Sequence, residues 1–257
     1  MKIYSWNMLF RNKKQDDALR WIERLDFDVL CLQEVPEAFL EKLRSLPWYI
    51  AYAQEGVRHY RKGDVIAYAV VVSKHPIAAH SEIEMPPIPT PRRVGLFIGL
   101  MRPFHFTRVS GRRAVFADLA MPGRAEPLRV ISAHLSLSHP RQRAFELALI
   151  LEHAKPGEAI VCGDFNIIES PKVSLLNYLM GGPLRDIMAY RTERTAMEET
   201  IASHGLQNPL CGQVTHPFGL SQLDHILVPA TATIKRCGVS VHAYGSDHRP
   251  IFVTTEA

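Results

Sequence analysis

The stretch Asp26-Phe27-Asp28-Val29-Leu30-Cys31-Leu32-Gln33 decides the fold class, and Glu34 follows it directly. It is a short apolar run bounded by polar residues, which reads as a buried strand. Upstream, Ala18, Trp21, Ile22 and Leu25 recur at helical spacing. Downstream, Pro36 suits a first helical turn, and Phe39, Leu40, Leu43 and Leu46 continue the helical period. Further buried-strand runs lie at Val65 to Ser73, Leu128 to Leu135, Ala159 to Cys162, Leu223 to Val228 and Pro250 to Thr254. A third helix is expected after Ser138 and Pro140, through Arg143 to His153, and a fourth over Arg191 to Ser203. Few helices separate the later strands, so the order is not the strict alternation of a doubly wound sheet or a TIM barrel. It suits an α/β fold of two mixed sheets packed together with helices outside. No internal repeat or Gly/Ser linker interrupts the chain, which predicts one domain over residues 1–257.

Composition excludes other classes. The 257 residues are 47% hydrophobic and 22% charged, too apolar for a disordered chain and too poor in Gly and Pro for a collagen-like one. No run approaches the roughly 18 apolar residues of a membrane span, and no apolar leader precedes the first strand. The four cysteines form no CxxC pair, which predicts reduced thiols and a cytoplasmic setting. The formal charge is only +4, but arginine outnumbers lysine 21 to 9. Arginine grips phosphate with a planar fork. The 33 residues from Met85 to Ala117 contain no acid and six arginines, a local +6 that leaves −2 on the other 224. Within it, Pro86-Pro87-Ile88-Pro89-Thr90-Pro91 reads as a stiff loop entering a strand near Val94 to Leu100. Arg92, Arg93, Arg112 and Arg113 are the expected substrate contacts, with Arg11, Lys13 and Lys14 adding charge just after the first strand.

Polar residues stand where the strands end. Asn7 ends the first strand, and Glu34 ends the run that opens this section. A carboxylate at such a place is either solvated or partnered, and a hard divalent cation is one partner. Asp164 and Asn166, in Gly163-Asp164-Phe165-Asn166, point to one side if the chain stays extended, although an Asx turn is the simpler reading. His134 ends Val130-Ile131-Ser132-Ala133-His134. Asp224, inside the apolar run Leu223 to Val228, needs a partner to be buried. His248, in Ser246-Asp247-His248-Arg249-Pro250, is a natural one, and Asp247 can converge with it from a loop. Carboxylates for a metal, amides for positioning and two histidines fit metal-assisted phosphoester hydrolysis. There is no Walker glycine loop, serine elbow or HExxH to suggest another chemistry.

In order and spacing, Ser5-Trp6-Asn7, Leu32-Gln33-Glu34-Val35, His134-Leu135, Gly163-Asp164-Phe165-Asn166, Leu223-Asp224-His225-Ile226-Leu227 and Ser246-Asp247-His248-Arg249-Pro250 resemble the motifs of the endonuclease/exonuclease/phosphatase superfamily, also called deoxyribonuclease I-like. The resemblance implies a four-layered α/β/β/α sandwich and a Mg²⁺- or Mn²⁺-dependent phosphodiesterase or phosphatase. It implies Glu34 as main metal ligand, with Asn7 and Asp247 in or near the metal shell. Asp164 would orient or deprotonate the attacking water, Asn166 and His134 would hold phosphate oxygens, and His248, polarised by Asp224, would stabilise the transition state or act as acid/base. The general base is Asp164 or His248. Subfamily marks are missing: Leu9 stands where AP endonucleases usually carry an acid or amide, and Ile167-Ile168 where inositol polyphosphate 5-phosphatases carry Tyr-Arg. The expected substrate is nucleic acid, cleaved by an endonuclease or exonuclease activity. The alternative is a small phosphorylated metabolite or lipid headgroup.

Overall fold

The structure is a computed structural model that describes residues 1–60, 63–88, 108–137, 139–167, 169–171, 174–175, 178, 184–216 and 221–256. Its first sheet is ordered β12 (Ile234–Val239), β13 (Ile251–Thr255), β1 (Lys2–Asn7), β2 (Val29–Pro36), β4 (Gly63–Ser73), β3 (Tyr49–Tyr60), β6 (Arg108–Ser110). The second is ordered β10 (Leu206–Gln207), β11 (Asp224–Pro229), β9 (Ala159–Asp164), β8 (Leu128–His134), β7 (Arg113–Leu119), β5 (Ile77–Glu84). Both are mixed: β1 and β2 are parallel, as are β8 and β9, while the other pairings are antiparallel. Helices α1 (Gln15–Arg24) and α2 (Glu37–Arg44) cover the first sheet, and α3 (Pro140–His153) and α4 (Glu193–Ser203) cover the second.

Alternation along the strands makes the layers. In β2, Val29 and Cys31 face the second sheet, while Leu30 and Leu32 face Ile22 of α1 and Phe39 and Leu43 of α2. In β9, Ile160 and Cys162 face the first sheet, and Val161 faces Leu147 and Ile150 of α3. Val29 to Gln33 of β2 and all of β9 are buried, which is why each reads as a continuous apolar run. Truncating a side chain in this central layer, such as Ile160→Ala, costs about 2–5 kcal/mol. The expected α/β architecture of two mixed sheets with outer helices is therefore the observed one. Strands β3, β5, β7 and β12 were not expected from sequence: β5 is an edge with mostly exposed polar side chains, and β12 an edge carrying Lys235 and Arg236. Pro86 to Ile88 have no regular structure, while the expected strand near Val94 to Leu100 lies outside the described residues. No helix among the described residues is long and apolar enough to cross a membrane.

The inner faces change character toward one end of the sandwich. Ile3, Ser5 and Asn7 follow one another on β1, and Val29, Cys31 and Gln33 on β2. Val130, Ser132 and His134 do the same on β8, Ile160, Cys162 and Asp164 on β9, and Val228, Ile226 and Asp224 on β11. Beneath the outermost row, Gln33 spans the gap between sheets, its amide donating to Ser132 Oγ (3.0 Å) and toward Ser5 Oγ (3.4 Å). Ser132 Oγ in turn donates to the Leu32 carbonyl (3.2 Å).

Candidate active site

Register places Asp224 opposite Asp164 and Asp164 opposite His134, so three outermost residues lie side by side on the second sheet. Gly163 permits this crowding. Its φ is +154°, and a Cβ there would stand 1.8 Å from the Ala133 carbonyl oxygen. The chain then turns. Asp164 Oδ1 accepts the Asn166 backbone N–H (3.0 Å), Asn166 adopts φ +53°, and its side-chain amide donates to the Leu135 carbonyl (2.9 Å). Phe165 anchors the turn from the other side, stacked on His225 at 4.6 Å and 10°. Burial and the Arg194 guanidinium push the His225 pKa well below its usual value, and Arg194 Nη1 lies 2.7 Å from its Nε2. This neutral ring is a support behind the turn.

Glu34 sits in a β-bulge between Leu32 and Val35, at φ +55°. Leu32 and Val35 both face the outer helices, so the extra residue swings Glu34 toward the inner face. There Glu34 Oε2 accepts the Phe10 N–H (3.1 Å), and Oε1 pairs with Arg58 (3.0 Å). A second bulge, between Gln54 and Gly56 on β3, carries Glu55. Glu55 is buried and accepts the Glu34 N–H (2.7 Å), while its other oxygen is 2.8 Å from His134 Nδ1.

Two imidazoles thus reach one carboxylate oxygen from opposite sides. His134 Nε2 and His248 Nε2 each lie 3.5 Å from Asp164 Oδ2, which also accepts the Asn7 amide (3.0 Å). Each histidine has a carboxylate behind it: Glu55 for His134, and Asp224, at 2.9 and 3.1 Å, for His248. Burial opposes charge on both rings, but Glu55 and Asp164 raise His134 to about 9, and Asp224 and Asp164 raise His248 to about 10. Burial raises the Asp164 pKa, against the pull of His248 and His134. The His248 backbone is fixed by Trp6 Nε1, which donates to its carbonyl (3.2 Å), and by Ser246 Oγ, which accepts its N–H (3.0 Å).

The structure therefore brings together Asn7, Glu34, His134, Asp164, Asn166, Asp224 and His248, all expected from sequence. Asp247 is on the rim, 3.7 Å from His216 Nε2, and burial opposes but His216 and His248 hold its pKa below the usual carboxylate value. Carboxylate and imidazole atoms cluster as Glu34–Glu55–His134, Asp164–Asp224–His248 and His216–Asp247–His248, and among the described residues no such group joins Glu34 to Asp247.

Of the four expected arginines, Arg112 needs correction. Arg112 is buried, its guanidinium bonded to Glu146 of α3 and to the His134 carbonyl (2.9 Å), so it braces the His134 backbone instead of standing exposed for a substrate. Arg113 pairs with Glu82 on the β5 edge (3.2 Å). Arg92 and Arg93 lie outside the described residues. Sequence reasoning missed Glu55, Arg58 and His216. A signal existed for Glu55, since Ala51, Ala53 and Glu55 repeat the pattern of small inner residues ending in a polar one.

No curated protein matches the chain in sequence. Among solved structures, an endonuclease/exonuclease/phosphatase from Beutenbergia cavernae is similar at 18% identity and TM-score 0.67, covering 98% of this chain and 70% of that one. A family protein from Leptotrichia buccalis is similar at 19% identity and TM-score 0.65, covering 100% of both chains. A 3′ phosphatase from Neisseria, bound to a product DNA hairpin, is similar at 16% identity and TM-score 0.63, again covering 100% of both. The sequence pattern of one family matches residues 4–248, and by that match the chain belongs to the Endonuclease/Exonuclease/phosphatase family, whose members are phosphoester hydrolases.

Proposed function

We propose that this protein is a divalent-metal-dependent nuclease that hydrolyses phosphodiester bonds of DNA or RNA. The observation that carries the reading is the convergence of two carboxylate-backed imidazoles on Asp164 Oδ2. The donor set suits a hard cation: Glu34 and Glu55 are nearly buried carboxylates, with the amide oxygen of Asn7 on the neighbouring strand end. Glu34 and Asn7 would hold Mg²⁺ or Mn²⁺, whereas Asp247, expected in or near the same shell, lies on the rim beside His216. Such an ion neutralises phosphate charge and lowers the pKa of a water.

The chain's own groups divide the remaining work. His134 and His248 present Nε2–H to phosphate oxygens, charged because Glu55 and Asp224 stand behind them. A ring with a pKa of about 10 donates at neutral pH, which favours His248 as charge stabiliser and proton donor to the leaving oxygen. Asp164, whose basicity burial raises, orients the attacking water and accepts its proton, and the Asn7 amide fixes its carboxylate. The DNA product held by the Neisseria relative supports a nucleic-acid substrate. The four free thiols support a reducing, cytoplasmic setting.

The test is a substrate panel with Mg²⁺ and Mn²⁺, each with an EDTA control. It holds plasmid DNA, single-stranded DNA and RNA, inositol phosphates and bis(p-nitrophenyl) phosphate. Metal-dependent cleavage of a polynucleotide is expected. Turnover of inositol phosphates alone would replace the nuclease reading with a small-molecule phosphatase, and EDTA-resistant turnover would remove the metal.

A further inference from the structure

A second surface lies beside the site, on a different layer. A groove of about 680 Å³ is lined by Lys14, Arg20, Trp21 and Arg24 of α1 and its start, and by His242 and Tyr244 of the loop before Asp247. Its one acid, Asp17, is already paired with Arg20. Trp21 and Tyr244 are stacked at 4.7 Å and 18°. We propose that this groove binds a single strand of nucleic acid as it leaves the catalytic centre, a subsite that rests on the nuclease reading above.

Three features argue for a strand. First, the cations repeat along one face of α1. Lys14 to Arg24 is ten residues, about 15 Å at the helical rise, a span too long for one phosphate. Second, cations beside aromatic faces are the combination that holds single strands without reading sequence. Third, the groove is tied to the chemistry on both sides. Asn12 donates to the carbonyls of Met8 (2.9 Å) and Tyr244 (3.1 Å), joining the loop after Asn7 to the loop before His248. Gly245, at φ +94°, lets that loop pass so close that a Cβ would stand 2.3 Å from Asn12 Oδ1. Tyr244 also packs edge-on against Trp6 (6.2 Å), the residue that holds the His248 carbonyl. The groove is therefore held in a fixed position relative to His248.

The test compares wild-type protein with Arg20→Glu/Arg24→Glu, both exposed positions, and with Arg44→Glu/Lys235→Glu as a charge-matched control elsewhere. Anisotropy of a labelled single-stranded oligonucleotide of about 20 nucleotides, longer than a typical site of roughly 4–16, is followed in EDTA at several salt concentrations. Losing two phosphate contacts is expected to weaken binding about tenfold and to flatten the log–log salt slope by about 1.4. With metal, kcat/KM for the oligonucleotide relative to bis(p-nitrophenyl) phosphate is expected to fall by a similar factor, and the control to keep the wild-type ratio. Equal binding and equal slope in wild type and groove variant overturn the groove even if the oligonucleotide is cleaved. Arginine-dependent binding without cleavage leaves the groove standing and removes the nuclease reading. Preferential arginine-dependent binding to phosphatidylserine vesicles overturns the strand as occupant.

Discussion

The pairs His248–Asp224 and His134–Glu55 put the same group in the same place by different routes. His248 comes from a loop and Asp224 from the start of β11, and both Asp224 oxygens face the ring. Asp224 is fully buried beside Asp164 and bonds through its carboxylate to His248, not to Glu34 or Glu55. His134 instead crosses the sandwich to reach Glu55 on β3 of the other sheet, and Glu55 spends its second oxygen on the backbone of Glu34. One pair is dedicated to its imidazole, and the other couples an imidazole to the expected metal ligand. A side chain behind a catalytic group can thus hold one residue or synchronise two.

The comparison can be broken at its shared point first. Asp164→Ala removes the oxygen both rings approach and is expected to lower kcat by about 10⁴-fold, the scale of losing an essential member of a catalytic set. A folded variant with near-normal turnover would remove Asp164 from the mechanism. His248→Ala comes next, costing about 10²–10⁴-fold, and His134→Ala is expected to cost less; equal losses would deny His248 its proposed role as proton donor. The backing carboxylates should then separate. Asp224→Asn is expected to act on kcat alone, whereas Glu55→Gln costs about 10–100-fold and also weakens the metal, a split read by titrating Mg²⁺ against activity. Identical Mg²⁺ curves would dissolve the contrast drawn above.

The smallest effect is on stability. A histidine whose folded pKa is raised above its unfolded value of 6.5 contributes stability that is complete below that value and lost as pH rises through the folded pKa. The windows are therefore 6.5 to about 9 for His134 and 6.5 to about 10 for His248. The metal-free protein should lose melting temperature between pH 7 and pH 10, and the loss should shrink in Glu55→Gln and Asp224→Asn. A melting temperature that is flat or rises over this range would contradict the charged rings.

What the sequence revealed follows the same division. Strands β1, β2, β8, β9 and β11 are buried on both faces, so their apolar runs, and the polar residue at each end, stand out without knowledge of partners. Five site residues were legible for that reason: Asn7, Glu34, His134, Asp164 and Asp224. Glu55 carried the same inner-face pattern and was still missed, because its role depends on a bulge and on a ring from the opposite sheet. Arg112 was misread because Glu146, the acid that claims it, is 34 residues away on a helix. A charge window is a sum over sequence, and pairing happens in space.

The row of Ser5, Gln33 and Ser132 separates two kinds of residue that rarely tolerate change together. On one side is packing, where a lost methylene is felt, and on the other is chemistry, where a changed group alters the reaction. Gln33 bridges the two sheets at that boundary through its bond to Ser132. Substitutions of the outermost polar groups at the mouth would therefore act on chemistry before they act on packing.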